Sequence, residues 1–487
     1  MAFRDLRAFI KLLEQRGQLR RIAAPVSCDL EITEITDRVS KARRGNVALL
    51  FENVEGYRVP VLINTFGSPE RMAWALGVDH LDHLGERVAR LLDLDIPASF
   101  LEKLKKLGEL SELARFAPRL VEDAPCQEVV ETHAPSLDWL PIMQCWPDDG
   151  GRYITLPLVI TRDPRHWRRR NVGMYRLQVY DDRTLGMHWQ IHKGGAEHHR
   201  ERERQHADRM EVAIALGADP ATLYAGSCPL PPIVDEFVFS GWLRRERLDL
   251  VKCKTVDLEV PAHAEIVLEG YVDPAERRLE GPFGDHTGYY SLPDQYPVFH
   301  LTAITHRRHP IYPSIIVGRP PMEDDWLGKA TERLFLPIIR MIHPEIVDMD
   351  MPFEGIFHNL LIVSMRKSYP GQARKVMYGI WGLGLMILTK AIIVVDEDVN
   401  VHDYHEVTWR VCNNVDPRRD MVVVDGPLDA LDHAADQFAY GAKVGIDATR
   451  KGPLDGFTRP WPDDITMSPE ITAKVDAKWR SLGLEIE

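Results

Sequence analysis

The chain has 487 residues, 45% hydrophobic, 27% charged and 8% aromatic, a composition that excludes a disordered or fibrous protein and, at this length, gives room for about three domains. Acidic residues outnumber basic ones 73 to 60, for a net charge of -13, which disfavours nucleic acid as a partner and any strong attraction to anionic lipid.

At the start of the chain, Phe3, Leu6, Phe9, Ile10 and Leu13 recur at helical spacing between Arg4, Asp5 and Arg7. This predicts an amphipathic helix rather than the uncharged core of a signal peptide. The apolar runs at 47–54 and 59–66 complete a small α/β unit, and a leucine- and lysine-rich linker helix is expected between Pro97 and Pro118. From Tyr153 onward the segments YITLPLVITRD, NVGMYRLQVYDD, LGMHWQIHK, AEIVLEGYVD and PVFHLTAITHRR are β-rich and separated by turn residues. One helix, at 202–216, is expected to interrupt this barrel-like central domain. After GRPPMED (318–324), helical and apolar-strand segments alternate, which predicts a second α/β domain with a buried sheet. The longest uncharged run, 376–389, is too short and glycine-rich to span a bilayer and is read as a buried helix. An amphipathic helix at 468–484 closes the chain. The predicted architecture is a multidomain α+β and α/β protein, divided at 1–120, 121–318 and 319–487. The six cysteines, Cys28, Cys126, Cys145, Cys228, Cys253 and Cys412, form no C-x-x-C pair and read as reduced thiols of a cytoplasmic enzyme.

Two segments concentrate polar chemistry. In NVGMYR (171–176), Arg176 is flanked by apolar positions, and an arginine facing a barrel interior needs an anion, either on a ligand or from an acid of the chain itself. His188, His192, His198, His199 and His206 follow, at spacings that specify no zinc site. If Asn171, His192 and Glu236 converge, an amide, an imidazole and a carboxylate suit manganese or magnesium better than tetrahedral zinc. The second segment, EGPFGDHTGYY (280–290), packs three glycines and a proline around Glu280, Asp285 and His286. A tight loop would crowd the acids and drive their pKa values apart, as acid/base work requires; the alternative is a polar surface turn. The basic cluster at 162–170 reads as a solvated hairpin tip, and Asp396, Glu397 and Asp398 as solvated carboxylates at a strand end.

Taken together, these motifs resemble the UbiD family of prenylated-flavin-dependent decarboxylases, most of all its 3-polyprenyl-4-hydroxybenzoate branch. The similarity runs in order through FRDLRAFIKLLEQRGQLRRI, PIMQCWPDD, NVGMYR, ALGADPATL, EGPFGDHTGYY, GRPPMEDDWLG, HPEIVDMDMP and IVVDEDVNVHD. The resemblance implies a central split β-barrel like that of flavin reductases, holding prenylated FMN with a divalent metal, usually manganese, and potassium at the phosphate. It assigns Asn171, His192 and Glu236 to the metal, and Met174, Tyr175, Arg176, His188, Trp189, Gln190, Lys193 and Gly194 to the cofactor. Arg176, Glu280 and Asp285 match the catalytic set, with Asp285 as the proton donor. The implied reaction is non-oxidative decarboxylation of 3-polyprenyl-4-hydroxybenzoate to 2-polyprenylphenol in ubiquinone biosynthesis. The alternatives are another aromatic or naphthoquinone-pathway acid and, in a different class, a flavin-dependent reductase. Implied partners are a flavin prenyltransferase as cofactor supplier and further copies of the chain, as a dimer or hexamer docked through the final helix. A prenylated substrate would add weak peripheral contact with the inner membrane. Loss of CO2 from a ring carbon needs an electron sink, and the chain carries no pyridoxal, thiamine or G-x-G-x-x-G signature to supply another.

Overall fold

The computed structural model describes residues 3–92, 115–191, 193–206, 209–231 and 234–484. Most of the expected linker helix (93–114) and His192 lie outside the described residues. Helix α1 (Leu6–Gln15) starts where the Asp5 side chain accepts from the Ala8 N–H, and it buries Leu6, Phe9, Ile10 and Leu13, the face the spacing predicts. It precedes β1 (Leu19–Ile22), α2 (Glu31–Ser40), β2 (Ala48–Phe51), β3 (Val61–Ile63), α3 (Pro69–Ala75) and α4 (Asp82–Leu92). β2 pairs parallel with β1 and antiparallel with β3.

The central region opens with β4 (Arg119–Leu120), β5 (Val129–Glu131), β6 (Tyr153–Ile154), β7 (Pro157–Arg162), β8 (Arg170–Met174), β9 (Leu177–Val179) and β10 (Thr184–Met187). It continues through α5 (Gly194–Arg204), β11 (Met210–Leu216), α6 (Pro220–Ser227), α7 (Glu236–Arg244), β12 (Asp249–Lys252) and β13 (Glu259–Pro261). The long strands β14 (Ile266–Glu280) and β15 (Asp294–His306) follow, and then β16 (Tyr312–Pro313). The main sheet has nine strands in the order β6-β9-β10-β15-β14-β11-β7-β8, with β5 beside β15. β12 pairs with β13 and β4 in a small side sheet. Register shifts at Glu269/Gly270 and Val272/Arg277 bend the β14–β15 pair. The hydrogen-bonded path does not close: β6 and β8 end it without pairing to each other, so no closed barrel forms among the described residues. Helices α5, α6 and α7 pack against β8, the strand at that end.

The helix expected at 202–216 is corrected to two elements. α5 ends at Arg204, and Met210–Leu216 is a strand held between β7 and β14. Its run of Val212, Ala213, Ile214, Ala215 and Leu216 is buried on both faces, and such a continuous apolar run does not distinguish a sandwiched strand from a buried helix by periodicity.

β16 leaves the central region to pair with β3, so the N-terminal and central segments share cores. One cluster joins Phe9 and Leu13 to Ala215 and Leu334; another joins Phe51 and Val61 to Ile214 and Phe299. The C-terminal region holds α8 (Glu323–Ile342), β17 (Ile346–Asp350), β18 (Leu360–Met365), α9 (Gln372–Trp381), β19 (Ala391–Asp396), α10 (Tyr404–Asn414), α11 (Pro417–Asp420), β20 (Met421–Pro427), β21 (Tyr440–Asp447) and α12 (Pro469–Lys478). Its five strands run β17-β18-β19-β21-β20, parallel in the middle and antiparallel at both edges. Separate apolar clusters cover the two faces, so Ile362 and Val363 point into different cores. The helix expected over 376–389 stops at Trp381, because Gly382 and the left-handed Gly384 (φ +46°) release the chain into a short 3-10 turn. Among the described residues no helix is long and apolar enough to cross a membrane.

α4 and α8 bring the N- and C-terminal segments together at Gly85, where a Cβ would lie 2.8 Å from the Arg333 carbonyl oxygen. Helix propensity alone would make Gly85→Ala stabilising by about 1 kcal/mol. The close approach reverses the sign, and the expected result is a net loss of about 1–2 kcal/mol, read as a lower Tm.

Candidate active site

Antiparallel pairing positions the first functional side chains. Met187 of β10 faces Leu177 of β9, and one step further the His188 N–H donates to the Arg176 carbonyl oxygen at 3.3 Å. Arg176 and His188 thus emerge together beyond the strand ends. β14 ends at Glu280, opposite Asp294 of β15, and the intervening loop carries Asp285. That loop is pinned from several sides: Gly281 N–H to Gln178 Oε1 (2.8 Å), Gly284 N–H to Asp149 Oδ1 (2.7 Å), Phe283 N–H to Ser291 Oγ (3.2 Å), and the Tyr153 hydroxyl to the Pro282 carbonyl (3.0 Å). Its Glu280–Asp285 half is pinned and largely buried, while Gly288, Tyr289 and Tyr290 lie at the surface.

The guanidinium of Arg176 lies between the two acids. Nε donates to Glu280 Oε1 at 2.8 Å, Nη2 to Glu280 Oε2 at 3.1 Å and to Ser291 Oγ at 3.0 Å, and Nη1 to Asp285 Oδ2. Its carbon sits 4.8 Å above the Phe283 ring. Arginine has five N–H hydrogens, so one on Nη1 remains uncommitted. Glu280 also pairs with His188 Nδ1 at 2.9 Å, and Asp285 Oδ1 with His286 Nδ1 at 2.8 Å.

The expectation that the acids would split their pKa values is corrected by this geometry. Burial works against ionisation of Glu280, yet the hydrogen bond from His188 and the charge of Arg176 bring it down to about 2. Burial opposes Asp285 too and is outweighed by Arg176 and His286, so its pKa falls well below the ordinary carboxylate range. With a cation between them, neither acid needs to hold a proton. Burial acts against charge on His286 as well, but its bond to Asp285 raises it to about 9. Burial keeps His188 neutral, and the Arg176 charge adds to that effect. Arg176, Glu280, Asp285 and a charged His286 therefore balance in charge.

Arg176, His188, Asp285 and His286 line a cavity of about 360 Å³ that is also lined by residues of the C-terminal region, while the fully buried Glu280 does not reach it. Of the residues expected at the cofactor, Met174, Tyr175, Arg176, His188, Gln190 and Lys193 line it. Trp189 and Gly194 do not. Trp189 is buried in the core beneath, in the same apolar cluster as Tyr175, and Gly194 opens α5 against Asn171, where a Cβ would lie 2.0 Å from Oδ1. Sequence reasoning missed the far wall: Asp324, Leu327, Met351, Phe357, His358, Met386, Leu388 and Asp429. Only GRPPMEDDWLG and HPEIVDMDMP, which hold Asp324, Leu327 and Met351, offered a signal for any of it.

Of the expected metal ligands, Asn171 and Glu236 both lie near Tyr175 of the cavity wall: Asn171 hydrogen-bonds its hydroxyl and the charge of Glu236 acts on it. Asn171 Nδ2 donates to the Tyr175 hydroxyl (3.2 Å), which also accepts from the Gly195 N–H (3.2 Å); this leaves the Asn171 amide oxygen without a donor among the described residues. Glu236 heads α7 behind the Asp235 cap, and its buried Oε2 has no partner among the described residues. Burial pushes its pKa up to about 8. Two oxygen donors of this kind fit a hard divalent ion. Lys193 lies in the same wall, desolvated and without an acid in ion-pair range among the described residues, and so fits a phosphate. Another cluster, Glu332, Asp350 and His402, has ligand atoms within 4.8 Å of one another, but Lys329 already pairs with both acids.

Three segments match family models in register with this geometry. Residues 10–91 match the N-terminal domain of 3-octaprenyl-4-hydroxybenzoate carboxy-lyase, 119–320 its Rift-related domain and 325–448 its C-terminal domain. The chain belongs to the UbiD carboxy-lyase family. A protein of Archaeoglobus fulgidus, named only as uncharacterized, is 55% identical over 483 residues, 99% of each chain. The UbiD-class enzyme HmfF from Pelotomaculum thermopropionicum, solved in complex with FMN, is 31% identical over 96% of this chain and 98% of its own, with a TM-score of 0.80. Vanillic acid decarboxylase of Sedimentibacter hydroxybenzoicus in its closed form is 28% identical over 100% of both chains, with a TM-score of 0.85.

Proposed function

We infer that this UbiD-class carboxy-lyase removes CO2 from an aromatic acid, using prenylated FMN seated in the 360 Å³ cavity beside a divalent metal held by Asn171, His192 and Glu236. The observation that carries this reading is the Arg176 guanidinium clamped between two ionised acids at the cavity wall. When bound, the flavin supplies an electron sink for the ring carbon that loses CO2. Lys193 would neutralise its phosphate, with potassium as a further counter-ion, and Tyr175, His188 and Gln190 would flank it.

The chain's own residues supply orientation and proton control. Glu280 and Ser291 hold Arg176 in one pose, and the remaining Nη1 hydrogen is available to a substrate carboxylate. Ionised Glu280 beside it favours departure of neutral CO2 over retention of a second negative charge. Asp285, once it has regained a proton, then delivers the one that replaces the lost carboxyl group.

An aromatic acid without a long tail is the better-supported substrate. The named relative is a vanillic acid decarboxylase. The second reading, 3-polyprenyl-4-hydroxybenzoate decarboxylation in ubiquinone biosynthesis, draws support from the family description and from the apolar wall of Leu327, Met351, Phe357, Met386 and Leu388. Assay of CO2 release from vanillate and from 3-prenyl-4-hydroxybenzoate, after co-expression with a flavin prenyltransferase, separates them. Preference for vanillate by tenfold or more is expected, and the reverse preference selects the second reading. Exposed Ile465, Met467, Ile471 and Trp479 around α12 support assembly of further copies through this tail.

A further inference from the structure

His286 touches more than Asp285. Its Nε2 lies 3.1 Å from His358 Nε2, and the Phe357 ring stacks on it at 5.2 Å and 25°. Phe357 and His358 come from the C-terminal region, in the segment before β18, where Ile356 and Phe357 both take left-handed backbone (φ +47°). Two consecutive non-glycine residues in that region are held there by their surroundings. Both histidines line the cavity, as do Asp324 of α8 and Asp429 after β20.

Two facing ring nitrogens form a hydrogen bond only if one carries the proton and the other does not. Burial, and then the neighbouring His286 charge, bring His358 down to about 4, so His358 is the neutral acceptor and His286 the donor. Asp285, Asp324 and Asp429 all favour charge on His286, and Lys193 disfavours it on His358.

Building on the decarboxylase reading, we propose that His286 is the proton store for Asp285, and that His358, reaching across from the C-terminal region, is the positioning residue that fixes which proton His286 gives up. With Nε2–H held by His358, the proton free to leave is the one on Nδ1, which points at Asp285 Oδ1. When the ring carbon is protonated, the His286 Nδ1 proton passes to Asp285 and the Asp285 carboxyl proton passes to carbon. Asp285 returns to carboxylate, and His286 is left neutral with its proton on Nε2. One proton from water reloads His286 each turnover, which balances loss of CO2 from a carboxylate anion.

The test is a histidine-resolved NMR titration of the full-length chain purified without added flavin, comparing wild type with His358→Phe, which removes the acceptor but keeps a ring, and His358→Gln, whose carbonyl still accepts. In wild type, His286 is expected to titrate near 9. The Phe variant is expected to lower this by about one unit, because a hydrogen bond to the charged form has been lost, and the Gln variant to restore at least half of the shift. His358→Leu makes the same comparison if the larger ring does not fold. In the loaded enzyme with vanillate, the alkaline limb of kcat is expected to move with the His286 midpoint while KM stays within twofold. An unchanged His286 midpoint in His358→Phe, or equal shifts in the Phe and Gln variants, would overturn the proposal. A wild-type chain inactive on vanillate would count against the functional reading alone, since the titration needs neither flavin nor substrate.

Discussion

Arg176→Ala is expected to lower decarboxylation by about 10²–10⁴-fold at neutral pH. The guanidinium is nearly enclosed and pairs with Glu280 and Asp285, both buried. Removing one partner of such a network leaves uncompensated buried charge, a cost of about 3–5 kcal/mol. The two acids would then take up protons instead of bearing that cost, so the variant loses the ionised Glu280 as well as the carboxylate anchor. The pH dependence has a definite sign. Glu280 has a folded pKa depressed to about 2, so its contribution to stability is present above the ordinary carboxylate value and is lost as pH falls towards 2. In Arg176→Ala, where the acids hold protons in the folded state, that loss should shrink or reverse, so thermal unfolding followed from pH 7 down to pH 3 would show a shallower fall in stability than in wild type. Decarboxylation within threefold of the parent rate would remove Arg176 from the site.

Glu280→Gln is the second large effect. The amide keeps the volume but cannot balance Arg176, and it changes what His188 Nδ1 meets at 2.9 Å. A fall in kcat of about 10²–10⁴-fold is expected, with flavin content unchanged because Lys193, Tyr175 and Gln190 still line the cavity. Single-turnover CO2 release, read beside the flavin absorbance of the same sample, checks both halves. Equal loss of flavin and activity would make Glu280 a cofactor residue instead.

The sequence made some of this legible and hid the rest for physical reasons. The face of α1 was readable because Leu6, Phe9, Ile10 and Leu13 obey a helical period. Met210–Leu216 was misread as helix because a strand buried on both faces carries no alternation. Arg176, Glu280 and Asp285 stood out as motif residues, yet their contact spans 104 and 109 residues, and the cation placed between the acids reversed the expectation that one of them would hold a proton. His358 gave no signal, since a lone histidine in FHN becomes meaningful only where β18 and the Glu280–Asp285 loop meet. Trp189 was assigned to the cofactor by the resemblance alone, and the chain places it in the apolar core rather than on the cavity wall.

The most direct measurement is the mass and absorbance spectrum of the flavin released from the chain after co-expression with a flavin prenyltransferase, together with the metal content of the same protein. Prenylated FMN at about one per chain with about one divalent ion is expected, both falling together in Glu236→Gln. A chain that decarboxylates an aromatic acid while holding no prenylated flavin would contradict the proposed chemistry.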